Sequence, residues 1–119
     1  MKFHRVLLFT TIQMDITPVG EDLHVLLTCD NMPRIGCTAF ARIEKDADTP
    51  QCEMSIISND SDPDRLFCEY VAGNLAIKTG QNVLCTGGIF VDEPDEHMIA
   101  KLYENVDEMI KDWTDFLSD

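Results

Sequence analysis

Three histidines and five cysteines are the side chains here best suited to bind a metal or attack a substrate, and their placement argues against both. His4, His24 and His97 fall on three different predicted elements, and none has a cysteine or second histidine at metal-ligand spacing, so no metal site is expected. The cysteines, Cys29, Cys37, Cys52, Cys68 and Cys85, are odd in number and form no Cys-x-x-Cys pair. Four lie in apolar runs, as reduced core thiols in a reducing compartment do. Cys68 falls in the early turns of a predicted helix, where the dipole lowers a thiol pKa; the plainer reading is a small residue on a helix flank. Cys85-Thr86-Gly87-Gly88 has the smallness of a phosphate or oxyanion cradle but lacks the lysine and flanking glycines of a P-loop, so a bulge or a close backbone approach is expected instead. Acids such as Asp107 and Asp112 belong to a large, evenly exposed set, and none is singled out as a raised-pKa partner of an ionised base. Catalytic, cofactor-binding and metal-binding residues are therefore all expected to be none.

The elements that would position these side chains must come from 119 residues, enough for one domain spanning 1–119 with its own core. Apolar residues make up 45% and charged ones 26%, which separates the chain from the polar signature of disorder. The apolar run after Met1-Lys2-Phe3-His4-Arg5 is broken by Thr10, Thr11 and Gln13, too soon to span a bilayer, and no small-residue cleavage site follows. A cytoplasmic protein is expected, with the nucleus also open to it. The net charge of −13 repels phosphate backbones and anionic membranes, so neither nucleic acid nor membrane is an expected partner. From Asp92 to Asp119 ten acids face only Lys101 and Lys111. That segment is either a solvated helix face or a surface that steers a basic partner.

Residues 5–14 are β-branched and apolar, and Thr17-Pro18-Val19-Gly20 ends them as a turn, which predicts a first strand. Further strands are predicted at 23–29, 35–44 and 52–58, joined by a proline turn at 30–33 and a polar loop at 45–50, in an antiparallel meander. The aspartates of 59–64 cap a helix in which Leu66, Phe67, Tyr70, Val71 and Leu75 recur at spacings of three and four, and Lys78-Thr79-Gly80 stops it. A fifth strand follows at 82–91, interrupted by Gly87-Gly88. A last helix starts near Asp92 to Asp95, with Ile99, Leu102, Val106, Met109, Ile110, Trp113 and Leu117 as its apolar stripe.

Alternation along strands assigns Val6, Leu8, Ile12, Leu23, Val25, Leu27, Ile35, Cys37, Ala39, Ala41, Ile43, Met54 and Ile56 to the face under the helices. The other face receives Leu7 and Phe9, His24, Leu26 and Thr28, Thr38, Phe40 and Arg42, and Ile57. That face is too apolar to stay wet, so a partner sheet is expected to cover it, with dimer-interface residues Leu7, Phe9, His24, Leu26, Thr28, Thr38, Phe40 and Arg42. The fold class that results is α+β: an antiparallel β-sheet with two α-helices packed on one face, the other face pairing with a partner sheet.

Three stretches carry a resemblance. LHVLLTCDNMPRIGCTAFARIEKDADTPQCEMSIISNDSD over 23–62, LAIKTGQNV over 75–83 and LYENVDEM over 102–109 resemble the proteasome assembly chaperone family, its fourth chaperone type most closely. The resemblance implies a non-enzymatic chaperone that pairs with itself or a homologous assembly chaperone. It also implies that the pair binds proteasome α subunits during early α-ring assembly. On that reading Glu104, Asp107, Glu108, Asp112 and Asp115 would form an acidic partner surface. Two other classes remain: a small thiol-dependent or ligand-binding enzyme using Cys68 or Cys85, and an adaptor subunit of a trafficking or cytoskeletal complex.

Overall fold

The computed structural model describes all residues except 45–47, 50, 59–61 and 119, and, for 62–64, only the backbone. Six strands and two helices follow in the order β1 (Lys2–Val6), β2 (Thr11–Val19), β3 (Asp22–Cys29), β4 (Cys37–Glu44), β5 (Gln51–Ser58), α1 (Asp62–Thr79), β6 (Val83–Gly87) and α2 (Glu96–Ser118). The class is α+β. The strands form one sheet in the order β1-β2-β3-β6-β4-β5. Most neighbours are antiparallel, but β6 enters between β3 and β4 and runs parallel to β3, so the sheet is mixed.

That insertion corrects the expected meander. β3 and β4 are not neighbours, because the loop with Pro33 carries the chain past the place that β6 takes after α1. The two glycines make the insertion possible. Gly87 has φ 108° and Gly88 φ 128°, both hostile to a side chain. A Cβ on Gly87 would lie 2.0 Å from the Leu27 carbonyl oxygen, which accepts the Gly88 N–H at 2.7 Å. The close backbone approach expected at this dipeptide is what the structure has.

The predicted first strand, 5–14, is two strands. Leu7–Thr10 turns the chain, Leu7 N–H donating to the Thr10 carbonyl at 2.8 Å. The turn contains no glycine, proline or asparagine; its anchor comes from elsewhere. The buried Thr10 hydroxyl donates to Asn31 Oδ1 at 2.5 Å, and Asp30 Oδ1 accepts the Thr11 N–H at 3.0 Å. That backbone donor is also the main reason the Asp30 carboxyl is held below its ordinary pKa. The break shifts the alternation: Val6 and Leu8, expected inside, are exposed, as is Ile35 in the loop before β4.

β2 also runs on through the predicted turn at 17–20. Pro18 is tolerated because Ile16 N–H, two residues earlier, already bonds to Met1, so the N–H that proline lacks would point past the end of β1. Gly20, at φ 60°, opens the two-residue connection to β3.

The inner face has Ile12, Met14 and Ile16 on β2, Val25 and Leu27 on β3, Ala39 and Ala41 on β4, and Val83 and Cys85 on β6, all fully buried. Alanines on β4 leave room for α1, whose buried residues Phe67, Cys68, Val71, Ala72, Leu75 and Ala76 form a stripe two side chains wide. α1 therefore covers β4, β5 and β6, while α2 lies beside it and reaches β1. Gly80, at φ 70°, ends α1 as predicted, its N–H bonding to the Ala76 carbonyl at 2.9 Å. The predicted aspartate cap of α1 lies outside the described residues. Asp95 caps α2, its Oδ1 accepting the Met98 N–H at 2.8 Å. Leu102, Val106, Met109, Ile110 and Trp113 are buried as the apolar repeat predicts, but Leu117 is half-exposed. No described helix is long and apolar enough to cross a membrane.

Candidate functional site

Two surfaces stand out on this scaffold, the open face of the sheet and a groove at its opposite side. On the open face the strand register sets side chains in rows. Leu26, Thr86, Thr38 and Ile57 form one row across β3, β6, β4 and β5; His24, Leu84, Phe40 and Ser55 form the next. His24 Nε2 lies 3.2 Å from Thr86 Oγ1, tying β3 to β6. Arg42 pairs with Glu53 on one side and Asp15, beside Leu26, pairs with the Met1 amino group on the other, so charged groups border an uncharged middle on β3, β6 and β4. In the rows of β3, β6, β4 and β5, Phe40 and Ile57 are the exposed apolar side chains, and Val6 and Val19 add exposed apolar surface on β1 and β2.

The structure thus brings His24, Leu26, Thr28, Thr38, Phe40 and Arg42 together, but not Leu7 and Phe9. Those two flank the tip of the β1–β2 turn and pack against the core, because the turn takes them out of the strand alternation. Leu84 and Thr86 are the residues that strand patterning missed. Their place in the middle of the face depends on β6 entering between β3 and β4, which no local signal announces.

The acidic residues of α2 are mostly engaged within the molecule. Asp112 pairs with Arg5 at 2.5 Å, Asp115 with Lys111 at 2.7 Å and Glu104 with Lys101 at 3.4 Å. Asp107 accepts from the Tyr70 hydroxyl at 2.5 Å, which pushes that phenol up to about 12 and keeps it protonated throughout the neutral range. Glu108 stands exposed. The negative helix face is in large part a set of local ion pairs, each worth little at a surface.

The thiols that could have served an enzyme are out of reach. Cys68 and Cys85 are fully buried, and the Cys68 Sγ lies 3.8 Å from the Cys37 carbonyl oxygen. A substrate cannot meet either sulfur without opening the core.

The groove has a volume of about 600 Å³. Pro18 and Leu23 supply its sheet wall, Lys78 and Thr79 the end of α1 with Gln81 just past it, and Trp113, Phe116 and Leu117 the end of α2. Gln81 is fixed by donating through Nε2 to the Glu21 carbonyl at 2.9 Å, and Thr79 by donating to the Leu75 carbonyl at 2.6 Å. Trp113 and Phe116 stack with ring centroids 5.8 Å apart and planes 29° from parallel. Trp113 is buried, and its Nε1–H has no hydrogen-bond acceptor among the described residues. Such an orphan donor costs about 1–3 kcal/mol. Phe116 and Leu117, each about half exposed, extend the apolar surface past the end of the buried stripe. The sequence signal for this groove was the lone tryptophan followed at once by further apolar residues near the end of α2; helical periodicity alone assigns Trp113 to the core and stops there.

A family model described as a prenylated flavin chaperone LpdD-like domain matches residues 9–118. No curated protein matches the chain. The match overturns the resemblance to proteasome assembly chaperones, and with it the expected α-ring function and the proteasome α-subunit partner. The resemblance rested on an order of strands and helices and on a proline-joined pair of central strands, which the structure shows are not paired with each other. Covering nearly the whole sheet and both helices, the family match establishes that the chain belongs to the prenylated flavin chaperone LpdD-like domain family.

Proposed function

We propose that this chain is a non-enzymatic chaperone that holds a prenylated flavin and passes it to a flavin-dependent decarboxylase. The observation that carries the reading is the family match across residues 9–118. The groove supports it by size, since about 600 Å³ lies within the roughly 300–1,000 Å³ of small-molecule sites. The half-exposed ring of Phe116 on its wall suits a planar cargo. The burial of Cys68 and Cys85 supports a carrier rather than a catalyst. Buried cysteines suit a reducing compartment, which favours the cytoplasm.

The open sheet face is the surface offered to the receiving enzyme. Its uncharged centre of Leu26, Leu84, Phe40 and threonines has the apolar middle and polar margin of a transient protein contact. Phe40 is the anchor, being the largest exposed side chain in the middle rows.

The test supplies a decarboxylase lacking its cofactor with limiting prenylated flavin, with and without this chain. Faster recovery of decarboxylase activity with the chain present is the expected result, and Phe40→Asp should remove most of that gain while leaving flavin binding intact. Equal recovery with and without the chain would refute the carrier role. Full stimulation by the Phe40→Asp protein would remove the sheet face from it.

A further inference from the structure

We infer that the groove between the C-terminal turns of α1 and α2 is where the flavin ring is held. The ring lies against the half-exposed Phe116, and Lys78 pairs with the phosphate at the mouth. This rests on the chaperone reading above and assigns it a site.

Four observations converge on this groove. Its volume, about 600 Å³, is twice that of the next cavity described, the space of about 300 Å³ beside Cys52 and Tyr70. Among the described residues its walls hold no carboxylate although the chain carries 22 acids, and Lys78 is the one cation on them. Lys78 is exposed and makes no ion pair with any described residue, unlike Lys101 and Lys111. The fourth is the pair of aromatics: Trp113 is buried with an unpartnered N–H, and Phe116 stacked on it is half exposed. A planar cargo lying along Phe116 gains a ring contact.

The helix ends decide which part of the cargo goes in. Both α1 and α2 present their C-termini here, where unpaired carbonyls concentrate partial negative charge. A phosphate deep in the groove would be repelled, whereas the imide N–H of a flavin ring meets those carbonyls as a donor. The ring therefore enters and the phosphate stays outside, where Lys78 reaches it. The prenyl-derived carbons lie against Leu23 and Leu117, the apolar parts of the wall.

Trp113 is the only tryptophan in the chain, so its emission reports the groove directly. The full chain is titrated with prenylated flavin mononucleotide and with the same flavin lacking its phosphate, following both tryptophan emission and the absorbance of the flavin. Saturable quenching of Trp113 is expected. Phe116→Ala should weaken binding about tenfold, and Lys78→Glu should abolish the preference for the phosphorylated form without weakening the dephosphorylated one. Both side chains are exposed, so neither change threatens the fold. Binding seen in the flavin's absorbance that leaves Trp113 emission unchanged and is indifferent to both substitutions would overturn this site and leave the chaperone reading standing. Absence of binding in either signal would overturn both.

Discussion

Gly87→Ala is expected to be the most damaging single-methyl change in this protein. The new Cβ would sit 2.0 Å from the Leu27 backbone oxygen, with φ at 108°, so a backbone must move rather than a side chain. The only escape is to part β6 from β3, and that opens the middle of the sheet and frees the Gly88 N–H from Leu27. A loss of about 4 kcal/mol or more follows, which lowers the thermal midpoint by on the order of 20 °C. Gly20→Ala is the control. Gly20 also has positive φ, at 60°, but nothing lies within 4 Å of its Cβ position, so only the local backbone cost of about 1–2 kcal/mol applies. Thermal unfolding of the two variants separates conformation from collision. Equal midpoints for both would mean that β3 and β6 are not in the contact described.

Phe67→Ala should produce the second large effect. The ring is fully buried on α1 and lies 4.8 Å, centroid to centroid, from Tyr103 on α2, which in turn meets Tyr70 edge-on at 4.8 Å. Removing it leaves a cavity where the two helices touch each other and the sheet. A loss of about 3–5 kcal/mol is expected, a large part of the roughly 5–15 kcal/mol that holds a domain of this kind. The readout is the urea midpoint. A decrease of less than about 1 kcal/mol would mean that α1 and α2 do not share this core. Because the groove is walled by the ends of the same two helices, the variant should also lose the stacked environment of Trp113, visible as a red shift in its emission.

Much of this architecture was legible in the residues. The three-four repeat from Leu102 to Trp113 predicts α2 and its buried face, and Gly80 predicts where α1 stops. Alternation within 23–29 and 37–44 places Val25, Leu27, Ala39 and Ala41 inside, and they are. The failures share a cause, which is that the deciding contact is distant in sequence. The Leu7–Thr10 turn has no turn residues of its own and is held by Asp30 and Asn31, some twenty positions on. The position of β6 is set by Leu27 and Gly36 through backbone hydrogen bonds that no periodicity encodes. Leu7 and Phe9 left the predicted interface for the first reason, and Leu84 and Thr86 joined the same face for the second.

The functional site was less legible than the fold. The thiols best suited to catalysis, Cys68 and Cys85, are buried side chains of the core. What distinguishes the groove, among the described residues, is an absence of acids in a very acidic chain, one lysine without an ion pair and a half-exposed aromatic ring, Phe116. Each is a property of neighbours brought together by folding: Pro18, Lys78 and Trp113 are far apart in sequence. The family match, in contrast, reads the whole pattern from 9 to 118 at once and so identifies a relationship that single motifs do not carry.

The central claim is that this chain itself holds a prenylated flavin, and native mass spectrometry tests it most directly. The purified chain, mixed with prenylated flavin mononucleotide and with unmodified flavin mononucleotide in equal amounts, should gain the mass of one prenylated flavin per chain and little of the unmodified one. A spectrum showing only the bare chain at saturating flavin would contradict the account.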